Sequence, residues 1–282
     1  MSNVLEKFNR TKDFLICIDS DGCAIDTMDI KHIRCFGPCM VEEWNLGEWK
    51  DAILKSWNDV NLYTLTRGIN RFKGLEVALV EINEKYTKIE GLDEFVRWAT
   101  ETKELSNESL EAEIEKTTNN ICLKKALQWS IDVNKSIDEL REDEKLPFEG
   151  VKEAIEEAKK YADIAIVSSA NEKAVLDEWS QHGLLESVDV VLTQNVGSKA
   201  YCIGKLLEHG YNKDNALMVG DALGDLKAAE SNGVLYYPIM VRKEKESWTR
   251  FIGEALNKFT SNEFKGQYQE MVIEEFRNNL TK

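Results

Sequence analysis

Two aspartates, Asp19 and Asp21, stand directly after the short apolar run FLICI at positions 14–18 and are followed by Gly22. Carboxylates two residues apart at the end of a strand point roughly to the same side, and glycine lets the chain turn sharply behind them. Two like charges so close are costly unless they share a proton or a cation. The plain alternative is a turn with solvated acids, because Asp-Gly is a common turn signal. An EF-hand loop is excluded. Counted from Asp19, glycine falls at the fourth position where that loop needs it at the sixth, and Ile30 stands at the twelfth where it needs glutamate.

Three further groups follow downstream. Asp221 and Asp225 sit in MVGDALGD after another apolar run. Taken alone they read as acids near a helix N-terminus, an ordinary stabilising arrangement. Ser168 and Ser169 close a third apolar run just before a helix expected to begin near Asn171. A hydroxyl beside helix amides forms an anion cradle, and a simple N-cap is the alternative. Lys199 opens a helix, where the dipole mildly disfavours a cation. That placement suggests a partner elsewhere, although a surface lysine explains any single case.

The elements that must position these groups alternate. Apolar runs at 14–18, 163–169, 188–193, 216–219 and 234–237 read as buried strands. Helical periodicity or helix-forming composition fills 151–158, 173–182, 199–209 and 223–232, and glycines 183, 210 and 233 lie just past the last three. This rhythm predicts an α/β fold: a Rossmann-like parallel sheet with helices on both faces. Between Gly22 and Pro147 the rhythm stops. That region holds five of the seven tryptophans (Trp44, Trp49, Trp57, Trp98, Trp129) and is rich in helix formers at 76–85, 92–100 and a long run from 109 to about 144. An inserted all-helical module with its own core is expected. The predicted organisation is a core of residues 1–25 and 146–242, a helical insertion at 26–145, and a helical C-terminal extension at 243–282 packed on the core.

The 36 basic and 51 acidic side chains leave a net charge of −15, which repels phosphate backbones and anionic membranes. No nucleic-acid or membrane partner is expected. A small phosphorylated ligand remains compatible if the site supplies local positive charge, most simply as a metal ion. The six cysteines form no Cys-x-x-Cys and read as reduced thiols. The polar start MSNVLEKFNRTKDF carries no apolar stretch, so a cytoplasmic protein is expected. Oligomeric state is not specified by these features.

In chain order, the motifs FLICIDSDGCAID, IAIVSSAN, GSKAY and MVGDALGDLKAA resemble those of the haloacid dehalogenase (HAD) superfamily of hydrolases. The resemblance covers roughly residues 12–30 and 146–241, and the helical insertion lies where that family carries a C1-type cap. It implies that Asp19 is the nucleophile, forming an aspartyl-phosphate, and that Asp21 is the general acid and then the general base. It implies Mg2+ bound by the Asp19 carboxylate, the Asp21 backbone carbonyl and Asp221, with Asp225 in an outer shell orienting waters or Lys199. Ser168 and Lys199 would hold the phosphoryl oxygens. An aspartate at position 21 points to phosphate esters, so the expected activity is hydrolysis of a small phosphomonoester metabolite. The alternatives are a phosphomutase of the same superfamily and a non-catalytic HAD-fold binding protein.

Cys23 stands where the family usually has threonine or valine, which places a thiol near the site and raises an expectation of oxidation sensitivity. In the insertion, Arg67, Arg71 and Lys73 bring three cations together. Either they read an anionic substrate group, with Arg67 the first choice beside Ser169 and Asn171, or they form a solvated basic patch. His32, Cys35 and Cys39 match no strong metal pattern and are read as packing residues.

Overall fold

The computed structural model describes residues 3–280 and divides into two compact units, residues 1–28 with 141–282, and residues 29–140. In the first unit the β-branched and apolar runs form five short strands. They are β1 (Phe14–Ile18), β2 (Ala162–Val167), β3 (Val190–Leu192), β4 (Ala216–Gly220) and β5 (Leu235–Pro238). All pair in parallel in the order β3-β2-β1-β4-β5. Every residue of β2 and β4 is buried, as expected for strands covered on both faces. The chain is α/β, with a Rossmann-like sheet order that places β1 at the centre.

Helices Val151–Ala158, Glu172–Gln181, Lys199–Leu207 and Leu223–Asn232 connect or flank these strands. The last ends at Gly233, whose φ of 68° is the left-handed cap that the sequence signalled. The register matters for function. Ile18 of β1 lies opposite Ile166 of β2 and Val219 of β4. Asp19, one residue past Ile18, and Ser168 and Asp221, two residues past Ile166 and Val219, therefore emerge at the carboxyl ends of three adjacent strands, the edge at which α/β sheets bind ligands.

Residues beyond 243 are built into this unit. Helices Glu244–Arg250 and Leu256–Thr260 are joined by a π-helical turn at Phe251–Ala255, and helix Gln267–Leu280 follows. Trp248, Phe251, Phe259, Phe264 and Val272 belong to the same apolar cluster as Ile16, Ile18 and Val219. The segment thus supplies core aromatics to the sheet.

The second unit is all helical among its described residues. Trp44, Trp57, Trp98 and Trp129 are buried in one cluster with Phe36, Phe72 and Phe95, and Trp49 packs against it. Ring pairs such as Phe72–Trp98 at 5.2 Å and 84° are edge-to-face, the arrangement aromatic quadrupoles prefer. Two details depart from the periodicity. The helical run from 109 is interrupted: helices Asn107–Lys116 and Ile121–Asp138 are separated at residues 117–120. The break falls on Thr-Thr-Asn-Asn, whose side chains compete for backbone groups, and Asn120 Nδ2 donates to the Ile114 carbonyl. Helical turns at residues 28–63, absent from the sequence reading, carry Trp44, Trp49 and Trp57.

Candidate active site

The turn after β1 starts from local chemistry. The Ser20 carbonyl accepts the amides of Ala24 and Ile25, both at 2.9 Å, and the Gly22 amide donates to the Ile25 carbonyl at 2.9 Å. Gly22 has φ of 77°, a conformation a side chain would strain, so the glycine is what permits the reversal. The Asp19 amide donates to the Val219 carbonyl at 3.0 Å, extending the β1–β4 ladder by one rung. Asp19 is thereby held at the sheet edge, 5% exposed.

Asp19, Asp221 and Asp225 are all buried, and each offers a carboxylate oxygen within 4.8 Å of the others. Lys199, the first residue of its helix, reaches into this cluster. Its Nζ lies 2.8 Å from Asp19 Oδ1 and 2.5 Å from Asp225 Oδ1. The unfavourable place of a cation at a helix start is explained by these two ion pairs. Ser198 caps the same helix, its Oγ accepting from the Tyr201 amide at 3.2 Å. Asp225 is fully engaged: Oδ1 takes the lysine, and Oδ2 accepts from the Ala222 amide at 3.1 Å. It therefore fixes Lys199 and the turn after β4 together. Gly220 makes this approach possible, because a Cβ there would lie 2.4 Å from the Asp225 carboxylate.

The electrostatics follow from three acids sharing one ammonium. Burial raises the Asp19 pKa well above the usual carboxylate range; Lys199 opposes this, and Asp225 and Asp221 reinforce it. Burial acts against the charge of Lys199, but Asp19 and Asp225 outweigh it and raise its pKa above that of an ordinary lysine. Both shifts share one contribution, the excess of acids over cations in the cluster. Three ionised carboxylates and one ammonium leave two charges uncompensated, and all the donors are hard oxygens. This donor set fits a divalent cation such as Mg2+.

The remaining predicted residues are placed as follows. Asp21 lies outside the carboxylate cluster, and its Oδ1 accepts from Thr27 Oγ1 at 2.7 Å. Ser168 is buried at the end of β2, its amide donating to the Leu192 carbonyl and its Oγ accepting from the Ala170 amide at 3.1 Å. Ser169 is exposed. Asn171, also exposed, caps helix Glu172–Gln181 through its Oδ1, which accepts from the Lys173 amide at 3.0 Å. Arg67 belongs to the helical unit and is 2% exposed. Its Nη1 donates to the Leu62 carbonyl at 2.8 Å and lies 3.7 Å from Asp29 Oδ1. Arg71 bonds Ser130 and Asn134, and Lys73 pairs with Glu76. The picture of a solvated basic patch therefore fails for Arg67, which is buried.

One correction concerns sulfur, and one expectation, that His32 packs, is met. Cys23 is completely buried. Burial first, then Asp221, Asp19 and Asp225, push its pKa well up. It stays a thiol, so the expected oxidation sensitivity has no thiolate to act through. His32 stacks on Phe36 and its Nδ1 accepts from Trp57 Nε1 at 3.2 Å, which makes it part of the helical packing.

Sequence reading did not single out Thr27, Trp179, Trp248 or Tyr236. The Trp179 indole donates to Ser20 Oγ and the Trp248 indole to the Cys23 carbonyl. The Tyr236 hydroxyl donates to the Gly220 carbonyl at 2.9 Å. In the sequence the three aromatics look like ordinary core residues, and only their polar tips connect them to the site.

A parallel sheet of this order carries Asp19, Ser168 and Asp221 at its carboxyl edge, with Lys199 paired to the acids. The family model described as haloacid dehalogenase-like hydrolase matches residues 82–238. That span is more than half of the chain and contains Ser168, Lys199, Asp221 and Asp225; Asp19 and Asp21 precede it. The chain belongs to the haloacid dehalogenase-like hydrolase family. Among solved structures, it is similar to a protein described as a putative phosphoglycolate phosphatase from Lactobacillus delbrueckii subsp. bulgaricus. The identity is 15% and the TM-score 0.52, over 91% of this chain and 100% of that one. A haloacid dehalogenase-like family hydrolase from Streptococcus pneumoniae aligns at 12% identity and a TM-score of 0.44, over 86% of this chain and 91% of that one. At these identities the likeness is one of fold. No curated protein matches the chain. Among the described residues, no helix is long and apolar enough to cross a membrane.

Proposed function

We propose that this hydrolase is a Mg2+-dependent phosphatase that cleaves a small phosphomonoester through an aspartyl-phosphate on Asp19. The observation that carries the reading is the ion pair of Lys199 with Asp19 inside a buried triad of carboxylates. An anionic substrate needs a positive site in a chain of net charge −15, and this cluster is where one can be assembled. Asp19, Asp221 and the Asp21 backbone carbonyl are the groups that would hold Mg2+, which supplies charge neutralisation at the phosphoryl oxygens.

The protein's own groups divide the work. An Asp19 carboxylate oxygen attacks phosphorus, and the bond from phosphorus to the ester oxygen breaks. Asp21 gives its proton to the departing oxygen. Asp21, now a carboxylate, takes a proton from the incoming water; the water oxygen bonds to phosphorus, and the bond to Asp19 breaks, releasing phosphate. Lys199 and Ser168 hold the equatorial oxygens, whose charge grows in the transition state. Asp225 keeps Lys199 directed at Asp19. Ser169 and Arg67 are proposed substrate contacts; Asn171 is left with its capping bond. The proposed location is the cytoplasm.

The test is release of inorganic phosphate from a generic phosphomonoester. Asp19→Asn should lower turnover at least about a thousandfold while the protein keeps its circular dichroism spectrum. Chelation of divalent metal should silence the wild type, and added Mg2+ should restore it. Full activity in Asp19→Asn, or turnover that is indifferent to chelation, would contradict the reading.

A further inference from the structure

Two buried indoles converge on the loop that carries Asp21. Trp179, in helix Glu172–Gln181, donates its Nε1–H to Ser20 Oγ at 2.9 Å. Trp248, in helix Glu244–Arg250, donates its Nε1–H to the Cys23 carbonyl at 3.0 Å. Both tryptophans and both acceptor residues are fully buried. Ser20 and Cys23 bracket Asp21 and Gly22. The stretch between them contains the positive-φ glycine at which the chain reverses. The anchors come from elements remote in sequence: one follows β2, and the other lies in the C-terminal segment.

We infer that Trp179 and Trp248 are positioning residues for the proposed reaction. Their N–H groups fix the Ser20–Cys23 turn and with it the direction in which Asp21 exchanges protons. This inference rests on the phosphatase reading above. It also gives the C-terminal segment a role in the site. Trp248 brings a hydrogen-bond donor to the turn that no residue of the sheet supplies there, and a purely apolar side chain would leave the Cys23 carbonyl buried without that bond. A filler role for the same two rings would require only their shape.

The distinction between donor and filler can be measured through the leaving group. An alkyl phosphate needs protonation of its departing oxygen, whereas p-nitrophenyl phosphate departs with little help from an acid. Misdirecting Asp21 therefore lowers kcat/KM for the alkyl ester more than for the aryl ester. We expect Trp248→Phe and Trp179→Phe each to lower the alkyl-to-aryl ratio of kcat/KM by about tenfold, since small misplacements of catalytic groups have large costs. Trp129→Phe is the matched control. Its indole donates to the Phe36 carbonyl at 3.0 Å within the helical unit, so it loses the same kind of bond without touching Ser20 or Cys23 and should leave the ratio unchanged.

Ser20→Ala removes the acceptor of Trp179 without opening a large cavity, and it should lower the ratio in the same direction. It decides the matter if either indole variant fails to fold. A ratio equal to wild type in the folded indole variants, or in Ser20→Ala, overturns the inference alone. A wild-type protein that releases phosphate from neither ester overturns the phosphatase reading and the inference with it.

Discussion

Gly220 shows how far a single atom decides this site. Its absent side chain leaves room for the Asp225 carboxylate, which would otherwise meet a Cβ at 2.4 Å. Asp225 cannot retreat without releasing both the Ala222 amide and Lys199. Gly220→Ala should therefore cost about 1–3 kcal/mol of stability by overpacking, and it should reduce phosphate release beyond what the lost stability explains. Urea titration paired with initial rates checks this; wild-type rates in the alanine variant would show that Asp225 need not sit where it does. The acids, serine and lysine were legible in the sequence because each closes an apolar run or opens a helix, and because their order along the chain is distinctive. Thr27 was not legible. A threonine six residues past Asp21 carries no pattern, and only the fold of the turn brings its hydroxyl to that carboxylate.

Among elements, the strands were readable because burial on both faces demands unbroken apolar runs. The helical unit was less so. A break at residues 117–120 depends on which side chains win the competition for backbone groups, and composition does not rank them. The tryptophans were recognised as core, yet the N–H partners of Trp129, Trp179 and Trp248 lie far away in sequence. Arg67 stayed open between a substrate-reading cation and a solvated patch, because sequence assigns it a charge and no depth. One element-level prediction concerns the segment before β1. Asp163 of β2 accepts from the Thr11 amide and hydroxyl, the Lys12 amide and the Tyr211 hydroxyl. Burial alone would raise its pKa, but these bonds, led by Thr11 and Tyr211, outweigh it and hold the pKa below the usual value. A depressed folded-state pKa gives stability that is present above the unfolded value of about 3.9 and is lost as pH falls through the folded one. Asp163→Asn should thus be less stable than wild type at neutral pH, and the gap should narrow as pH drops below about 4. A gap independent of pH, measured by urea midpoints, would remove the carboxylate from this role.

At the scale of the whole molecule, the net charge of −15 sets a field that attracts cations and repels anions. The apparent affinity for Mg2+, read from activation curves, should weaken as KCl is raised from about 0.01 to 0.15 M, because the screening length shortens from about 30 to 8 Å. An affinity that does not respond to salt would mean that only the local cluster matters. Lys199 is sheltered and paired with Asp19 and Asp225, so its charge is balanced inside the cluster. Two compact units account for the chain's two compositions, one alternating strands and helices, the other rich in tryptophan and helical among its described residues. The most direct test of the account is to quench the protein with acid during turnover of a phosphomonoester and map the modified peptide by mass spectrometry. The account predicts one phosphoryl group on the peptide containing Asp19, lost in Asp19→Asn; a phosphoryl group on another residue, or a turning-over protein from which none can be trapped at any quench time, would contradict it.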